Sequence, residues 1–249
     1  MRIRSFILIF ISIFFISKTF AQKTYVLSVG IADYKEITDL RFTEEDVAVF
    51  NQIMAYHTNE VYALLGTEAT HNNIVKTIRA IFAKATSLDT VIFFFSGHGY
   101  EGGFCCYDMH VQSFIGGLTY GELQILFRNC RAGKKMVFAD ACFSGGASKQ
   151  RTALSVQTVK NADVMFFLSS RFDETSLELP KGPNGLFTYF LAKGLKGEAD
   201  FDQDRIITID EVYNFVYTNV VEYTTQVFHN QHPMIWGKFN KGMNVLNWN

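Results

Sequence analysis

Apolar runs rich in β-branched and aromatic residues alternate along the chain with segments of helical periodicity. Strands are predicted at 24–30, 60–66, 90–96, 135–139 and 164–169. Amphipathic helices are predicted at 43–58, 72–86, 119–129, 186–195 and 209–225, with Thr43 as N-cap of the first and a Thr119/Glu122 capping box on the third. Because alternating strands and helices form parallel sheets covered on both faces, the pattern predicts an α/β fold with ligands at the carboxyl ends of its strands.

The first 21 residues have the features of a secretory signal peptide. Arg2 and Arg4 precede an apolar run at 6–16, and Ala21 stands at the expected cleavage site. This run is too short for a good bilayer span, so we expect no stable membrane span after cleavage, with an uncleaved anchor as the alternative. The predicted organisation is a signal peptide at 1–21 and one domain at 22–249, in a secreted or periplasmic protein.

Composition supports a single globular domain and excludes several kinds of site. The chain has 249 residues, of which 48% are hydrophobic and 19% charged, enough to bury one core. Its lysines and arginines do not cluster, so no nucleic-acid partner is predicted. The histidines and cysteines show no zinc-site spacing. Four cysteines are too few for a disulfide-stapled scaffold. We expect buried thiols with Cys142 kept for chemistry, with one bridge from Cys130 to Cys105 or Cys106 as the alternative.

Two of the predicted strands end in glycine-rich loops that carry a histidine and a cysteine. The loops read FSGHG at 95–99 and ADACFSGG at 139–146. An imidazole beside a thiol can take its proton, stabilise the thiolate and later protonate the leaving amine. We therefore expect His98 as general base and Cys142 as nucleophile. The backbone amides of Gly99 and Cys142 are the expected oxyanion hole.

The motifs SGHG at 96–99 and DACFSGG at 140–146 resemble the two active-site motifs of the caspase and metacaspase superfamily of cysteine peptidases. VGIADY at 29–34 and LRFTEEDV at 40–47 are similar to the first strand and helix of bacterial members, and the resemblance spans 24–240. It implies a caspase-like three-layer α/β/α sandwich with a mostly parallel central sheet of about six strands. It also implies an endopeptidase that acts on protein or peptide substrates through a His98/Cys142 dyad, without a third catalytic residue or a required cofactor.

The resemblance also suggests which substrates are cut. Metacaspase-like members have an aspartate two residues before the nucleophile, where this chain has Asp140, and a second on the first helix, which Asp46 matches. Two carboxylates at the base of a cleft favour a basic side chain, and Ser96 and Ser169 are expected to line the same pocket. We hypothesise cleavage after Arg or Lys. Arg41 leaves open an acidic substrate, and a non-catalytic caspase-like binding scaffold is a further alternative.

A calcium site is a second hypothesis. Acids occupy positions 1, 3, 5 and 12 of an EF-hand-like loop, namely Asp200, Asp202, Asp204 and Glu211. Arg205 stands where such loops need glycine. The alternative is a solvated acidic turn in which Thr208 and Glu211 form a capping box.

Self-cleavage is a third hypothesis. The polar stretch at 144–163 carries Lys149, Arg151 and Lys160, which suit cleavage after basic residues. Members of the family often cut themselves in this connection, so the same is expected here.

Overall fold

The computed structural model describes residues 22–142, 163–171, 173–179 and 182–248, and at Cys142 it describes the backbone alone. The predicted signal peptide and the basic residues of the predicted self-cleavage segment, Lys149, Arg151 and Lys160, lie outside these residues. None of the helices in the described ranges is long and apolar enough to cross a membrane.

A mostly parallel sheet forms the centre of the molecule. The strands are β1 (Thr24–Gly30), β2 (Val61–Leu65), β3 (Thr90–Tyr100), β4 (Gly103–Phe104), β5 (Leu118–Thr119), β6 (Lys134–Cys142), β7 (Met165–Leu168), β8 (Ile206–Thr208), β9 (Met234–Trp236) and β10 (Asn244–Asn247). Six of them lie in the order β2-β1-β3-β6-β7-β9. The first five of these are parallel, and β9 runs antiparallel to β7 at the edge. The short β4 and β5 extend β3, and β8 pairs with β10 apart from the sheet.

Helices cover both faces of this sheet. They are α1 (Thr43–Ala55), α2 (His71–Phe82), α3 (Tyr120–Arg128), α4 (Leu186–Lys193) and α5 (Ile209–Gln226). Because successive side chains of a strand point to opposite faces, Phe93 and Phe95 pack in one apolar cluster with α2 and α3. Ile92 and Phe94 pack in the other cluster with α1, α4 and α5, where the Phe50 ring stacks on Phe94 at 4.3 Å between centroids. The predicted three-layer α/β/α architecture is confirmed.

The two strands that carry the candidate dyad are longer than predicted. β3 was expected to end at 96 and β6 at 139, but they continue to Tyr100 and Cys142. The glycines of SGHG do not end β3, because β4 pairs with it beyond the end of β1 and β6 stays paired on its other side. His98 therefore lies within a strand, and Cys142 is the last residue of one.

Helix ends show where side-chain capping was predicted correctly and where it was not. Thr43 is not an N-cap: α1 begins at Thr43, Phe42 is the N-cap, and no side chain bonds there. Thr119 does cap α3, but the Glu122 carboxylate contacts Nε2 of His71 at 2.8 Å. The helix predicted at 72–86 ends at Phe82.

Candidate active site

The candidate dyad lies at the carboxyl edge of the parallel sheet. Strands β3 and β6 pair in parallel with His98 opposite Cys142, so the backbones of these residues are direct neighbours. Adjacent strands lie about 4.8 Å apart, which is within reach of an imidazole and a thiol. The structure thus brings together the two strand ends that the motifs singled out.

One nitrogen of the His98 ring is held by a backbone carbonyl. Nε2 lies 2.7 Å from the carbonyl oxygen of Thr38. Because a carbonyl only accepts, Nε2 carries the proton and Nδ1 of the neutral ring is left as an acceptor. Among the described residues Nδ1 has no hydrogen-bond partner, although His98 is only 6% exposed. Thr38 was missed by sequence reasoning, since a backbone carbonyl has no side-chain signature.

The surroundings of His98 also affect its protonation. Burial lowers the pKa of His98, while the Thr38 carbonyl and the charge of Asp39 act in the opposite direction. The net direction is downward, so the ring is neutral at neutral pH and available as a base.

Tyr34 contacts both the backbone and the ring of His98. Its hydroxyl accepts a 2.7 Å hydrogen bond from the His98 amide, and its ring lies 5.1 Å from the imidazole. Gly97 allows this approach, because a Cβ there would lie 2.5 Å from the Tyr34 hydroxyl and 2.9 Å from the Phe95 ring. The glycine of the motif is therefore explained by close packing behind the histidine.

The backbone amide of Gly99 faces the neighbouring strand β6. His98 gives its amide to Tyr34, and its carbonyl accepts from the Cys105 amide at 2.8 Å. Backbone groups alternate sides along a strand, so the amide of Gly99 faces β6 and the Cys142 end of that strand. The oxyanion hole at Gly99 and Cys142 stays a prediction.

A small cavity that is partly open to solvent lies beside the dyad strands. Its lining includes the two predicted specificity acids, Asp46 and Asp140, and the predicted Ser96. It also includes three residues that the sequence did not assign to it, namely Thr43, Glu178 and Gly185. Thr43 is buried, and its hydroxyl has no hydrogen-bond partner among the described residues. A buried unpaired hydroxyl is unfavourable unless a ligand satisfies it. The hydroxyl is therefore available to whatever polar group occupies the cavity, water or ligand.

Asp46 lies on α1 and is only 2% exposed. Its Oδ2 accepts from Ser96 Oγ at 2.8 Å, and its Oδ1 accepts from Asn184 Nδ2 and the Gly185 amide, each at 3.0 Å. Burial and the neighbouring charge of Asp140 raise the pKa of Asp46 well above its usual range. The predicted first-helix acid thus lies inside the pocket.

Asp140 is the second buried acid of the cavity. Its Oδ1 accepts from Ser176 Oγ at 2.7 Å, and its Oδ2 accepts from the amide of Thr188 at 3.0 Å and its hydroxyl at 2.9 Å. Burial raises the pKa of Asp140, while these donors act against the rise. A Cβ on Gly185 would collide with Asp140 Oδ2 and lie 3.3 Å from Asp46 Oδ2. Both carboxylates therefore converge on the space that glycine leaves.

Two further residues lie differently from what the sequence suggested. Ser169, expected to line the pocket, is fully buried, and its hydroxyl bonds the amide of Ala141 at 3.0 Å and the carbonyl at 3.2 Å. It continues the pairing of β6 where β7 ends. Arg41 is exposed, with its guanidinium 5.8 Å from the Phe42 ring, and it does not line the cavity.

The acidic loop brings three of its four predicted ligands together. Oxygens of Asp200, Asp202 and Asp204 lie within 4.8 Å of one another. Arg205 has a left-handed backbone (φ 67°), as the glycine position of such a loop requires. Glu211 is engaged elsewhere, because it forms the capping box with Thr208. Calcium binding stays a prediction.

The remaining cysteines do not compete with Cys142 for the role of nucleophile. Cys105, Cys106 and Cys130 are buried and unbridged, as predicted. Burial raises the pKa of all three thiols, to about 12 for Cys105. They are therefore protonated at neutral pH.

Comparison with known proteins identifies the family and the fold. A family model described as caspase domain matches residues 23–242. No curated protein matches the chain. Among solved structures, the crystal structure of protein GSU0716 from Geobacter sulfurreducens is similar with a TM-score of 0.59 and 18% identity, over 88% of this chain and 95% of that one. At this identity the likeness concerns the fold alone.

Proposed function

The chain belongs to the caspase-domain family of cysteine peptidases, and on that premise we propose that it is an endopeptidase with His98 and Cys142 as its catalytic dyad. The observation that carries the proposal is the pairing of these two residues on adjacent strands, with Nδ1 of His98 left as an acceptor. Nδ1 takes the thiol proton, and the thiolate attacks the scissile carbonyl carbon. The imidazolium then protonates the leaving amine, and water hydrolyses the thioester.

The surroundings of the dyad support each proton transfer. A buried, neutral imidazole is a base at neutral pH, and its Nε2–H bond to Thr38 keeps the correct tautomer. When Nδ1 gains a proton, the Thr38 carbonyl and the Asp39 charge stabilise the cation. The proposed oxyanion hole, at the amides of Gly99 and Cys142, stabilises the tetrahedral intermediate.

We further propose that the bond cut is the one after Arg or Lys. The cavity beside the dyad contains Asp46 and Asp140 at buried positions, with Glu178 also in its lining. Arg41, which had suggested an acidic substrate, lies outside this cavity. The unpaired hydroxyl of Thr43 is an additional acceptor for a substrate N–H group. An excess of acceptors over donors suits a cationic side chain.

Thiol alkylation with iodoacetamide, followed by mass mapping, tests the dyad. We expect Cys142 to be labelled first, and to be labelled about a hundredfold more slowly in His98→Ala at about pH 6, because the thiolate is no longer stabilised. Cys130→Ala is the matched control, since it removes a buried thiol. Equal labelling of Cys142 with and without His98 contradicts the proposal and favours a non-catalytic scaffold.

Export and self-cleavage are proposed with the activity. N-terminal sequencing of protein recovered from expressing cells is expected to find Gln22 first. It is also expected to find an internal cut after Lys149, Arg151 or Lys160 that disappears in Cys142→Ala.

A further inference from the structure

Gln231 lies in the segment between α5 and β9, and its side chain is fully buried. Its Oε1 accepts from the Leu177 amide at 2.9 Å. Its Nε2 donates to the Ser169 carbonyl and to Ser176 Oγ, both at 3.1 Å. The orientation of the amide is determined by these partners, because a backbone amide only donates and a carbonyl only accepts.

This orientation determines what the Ser176 hydroxyl does. Ser176 Oγ receives a hydrogen bond from Gln231, so its own proton is turned to another acceptor. That acceptor is Oδ1 of Asp140, 2.7 Å away. A hydrogen-bonded path therefore runs from Gln231 through Ser176 to the buried carboxylate of the cavity.

We propose that Gln231 is a positioning residue that keeps Asp140 ionised and aimed into the pocket, and thereby contributes to the preference for a basic side chain. The inference rests on the proposed function for its consequence, but not for the state of Asp140 itself. Gln231 does not line the cavity; it reaches Asp140 through Ser176, and its second bond, to the Ser169 carbonyl, holds another residue that contacts Asp140.

Asp140 needs such support because its neighbours oppose ionisation. Asp46 faces it from α1, and Glu178 lines the same cavity. The groups from α4 and from the end of β7 are the neutral Thr188 and Ser169. Burial and nearby negative charge favour the protonated acid, whereas donors to its oxygens favour the carboxylate. The donor that Gln231 orients is one of these.

Two variants interrupt the path at different points. Gln231→Met keeps the approximate shape and removes the amide, and Ser176→Ala removes the donor to Asp140. We expect each to raise the pH at which Asp140 ionises by about one unit. The double variant is expected to show little more shift than Ser176→Ala alone, because the bond from Ser176 to Asp140 is the step that the two changes share.

The measurement is a ¹³C NMR titration of the Asp140 carboxyl carbon in the Cys142→Ala background, which needs no turnover. The pH profile of kcat/KM for an arginine peptide is measured in parallel with Cys142 intact, and its rising limb is expected to move upward equally. Glu174→Gln is the matched control: it weakens the 2.6 Å contact with His232 Nδ1, which joins the same two segments. It is expected to leave the Asp140 titration unchanged.

Four outcomes are distinguishable. An unchanged Asp140 titration in folded Gln231→Met and Ser176→Ala overturns the inference, as does an equal shift in Glu174→Gln. If the Asp140 titration shifts but the protein with Cys142 intact cuts no arginine peptide, the result supports the role of Gln231 and contradicts the proposed function. Shifts in both the Asp140 titration and the pH profile of kcat/KM support the role of Gln231 and the proposed function.

Discussion

Among the described residues, the His98 ring is hydrogen-bonded by a backbone carbonyl and not by a carboxylate. The loop between β1 and α1 supplies the Thr38 carbonyl on one side of the ring and Tyr34 behind it. The loop is itself closed by a 3.1 Å bond from the Tyr34 amide to Asp39 Oδ1. Since each contact involves a backbone group, the tautomer of the histidine depends on this loop keeping its shape.

Asp46→Asn is predicted to make the protein more stable and less active. The pKa of Asp46 is raised in the folded state, so its stabilising contribution is present at low pH and is lost as pH rises through that pKa. Asparagine keeps Oδ1 for Asn184 and Gly185 and carries no charge. We expect the variant to melt higher than the parent at about pH 8, with the difference vanishing near about pH 4.

The same variant is expected to cut arginine peptides at least about a hundredfold more slowly, because a charge-assisted bond to the substrate is lost. Thermal unfolding at both pH values and peptide kinetics check the two effects. Glu45→Gln removes an exposed acid from the same helical turn and serves as control. A lower melting temperature at alkaline pH in Asp46→Asn disagrees with the electrostatic account.

The candidate dyad lies on the secondary-structure elements β3 and β6, and both strands extend beyond the ends predicted from the sequence. Hydrophobic runs predict where β3 and β6 are covered by helices, but not where hydrogen bonding stops. The predicted bounds of β1 are those observed, because that strand ends where its apolar run ends. β3 continues past its apolar run because β4, only two residues long, pairs with it. Such a partner has no periodicity that a sequence pattern could reveal.

Two glycine variants are predicted to distinguish the reactivity of the dyad from the binding of substrate in the pocket. Gly97→Ala places a Cβ against Tyr34 and the Phe95 ring, so we expect slower Cys142 alkylation and slower peptide hydrolysis. Gly185→Ala places a Cβ between the two pocket carboxylates. It is expected to reduce hydrolysis of basic peptides at least about tenfold while alkylation of Cys142 is unchanged.

The control is Gly121→Ala on α3, where a Cβ meets nothing closer than the Thr119 hydroxyl at 3.9 Å. Because a Cβ has room there and alanine is a better helix former than glycine, this variant is expected to fold and to retain both activities. Slower alkylation in Gly185→Ala as well would argue that the two regions are not separable.

At the scale of the molecule, the sheet gathers residues that are distant along the chain. Because both motifs follow apolar strands of a predicted parallel sheet, His98 and Cys142 could be expected at the same edge, and the pairing of β3 with β6 makes them neighbours. Asp46 could be assigned to the pocket because its position in α1 matches that of the first-helix aspartate in the family it resembles. Glu178 and Gln231 could not be predicted, because they lie in irregular segments whose paths depend on tertiary contacts rather than on local pattern.

The proposed dyad cuts after basic residues. Its most direct test is a set of fluorogenic peptides that differ only in the residue before the cleaved bond, Arg, Lys or Asp, assayed with the parent and Cys142→Ala. We predict cleavage of the Arg and Lys peptides, at least about a hundredfold faster than the Asp peptide, and none by the variant. Turnover of the Asp peptide alone, or turnover that survives in Cys142→Ala, would contradict the account.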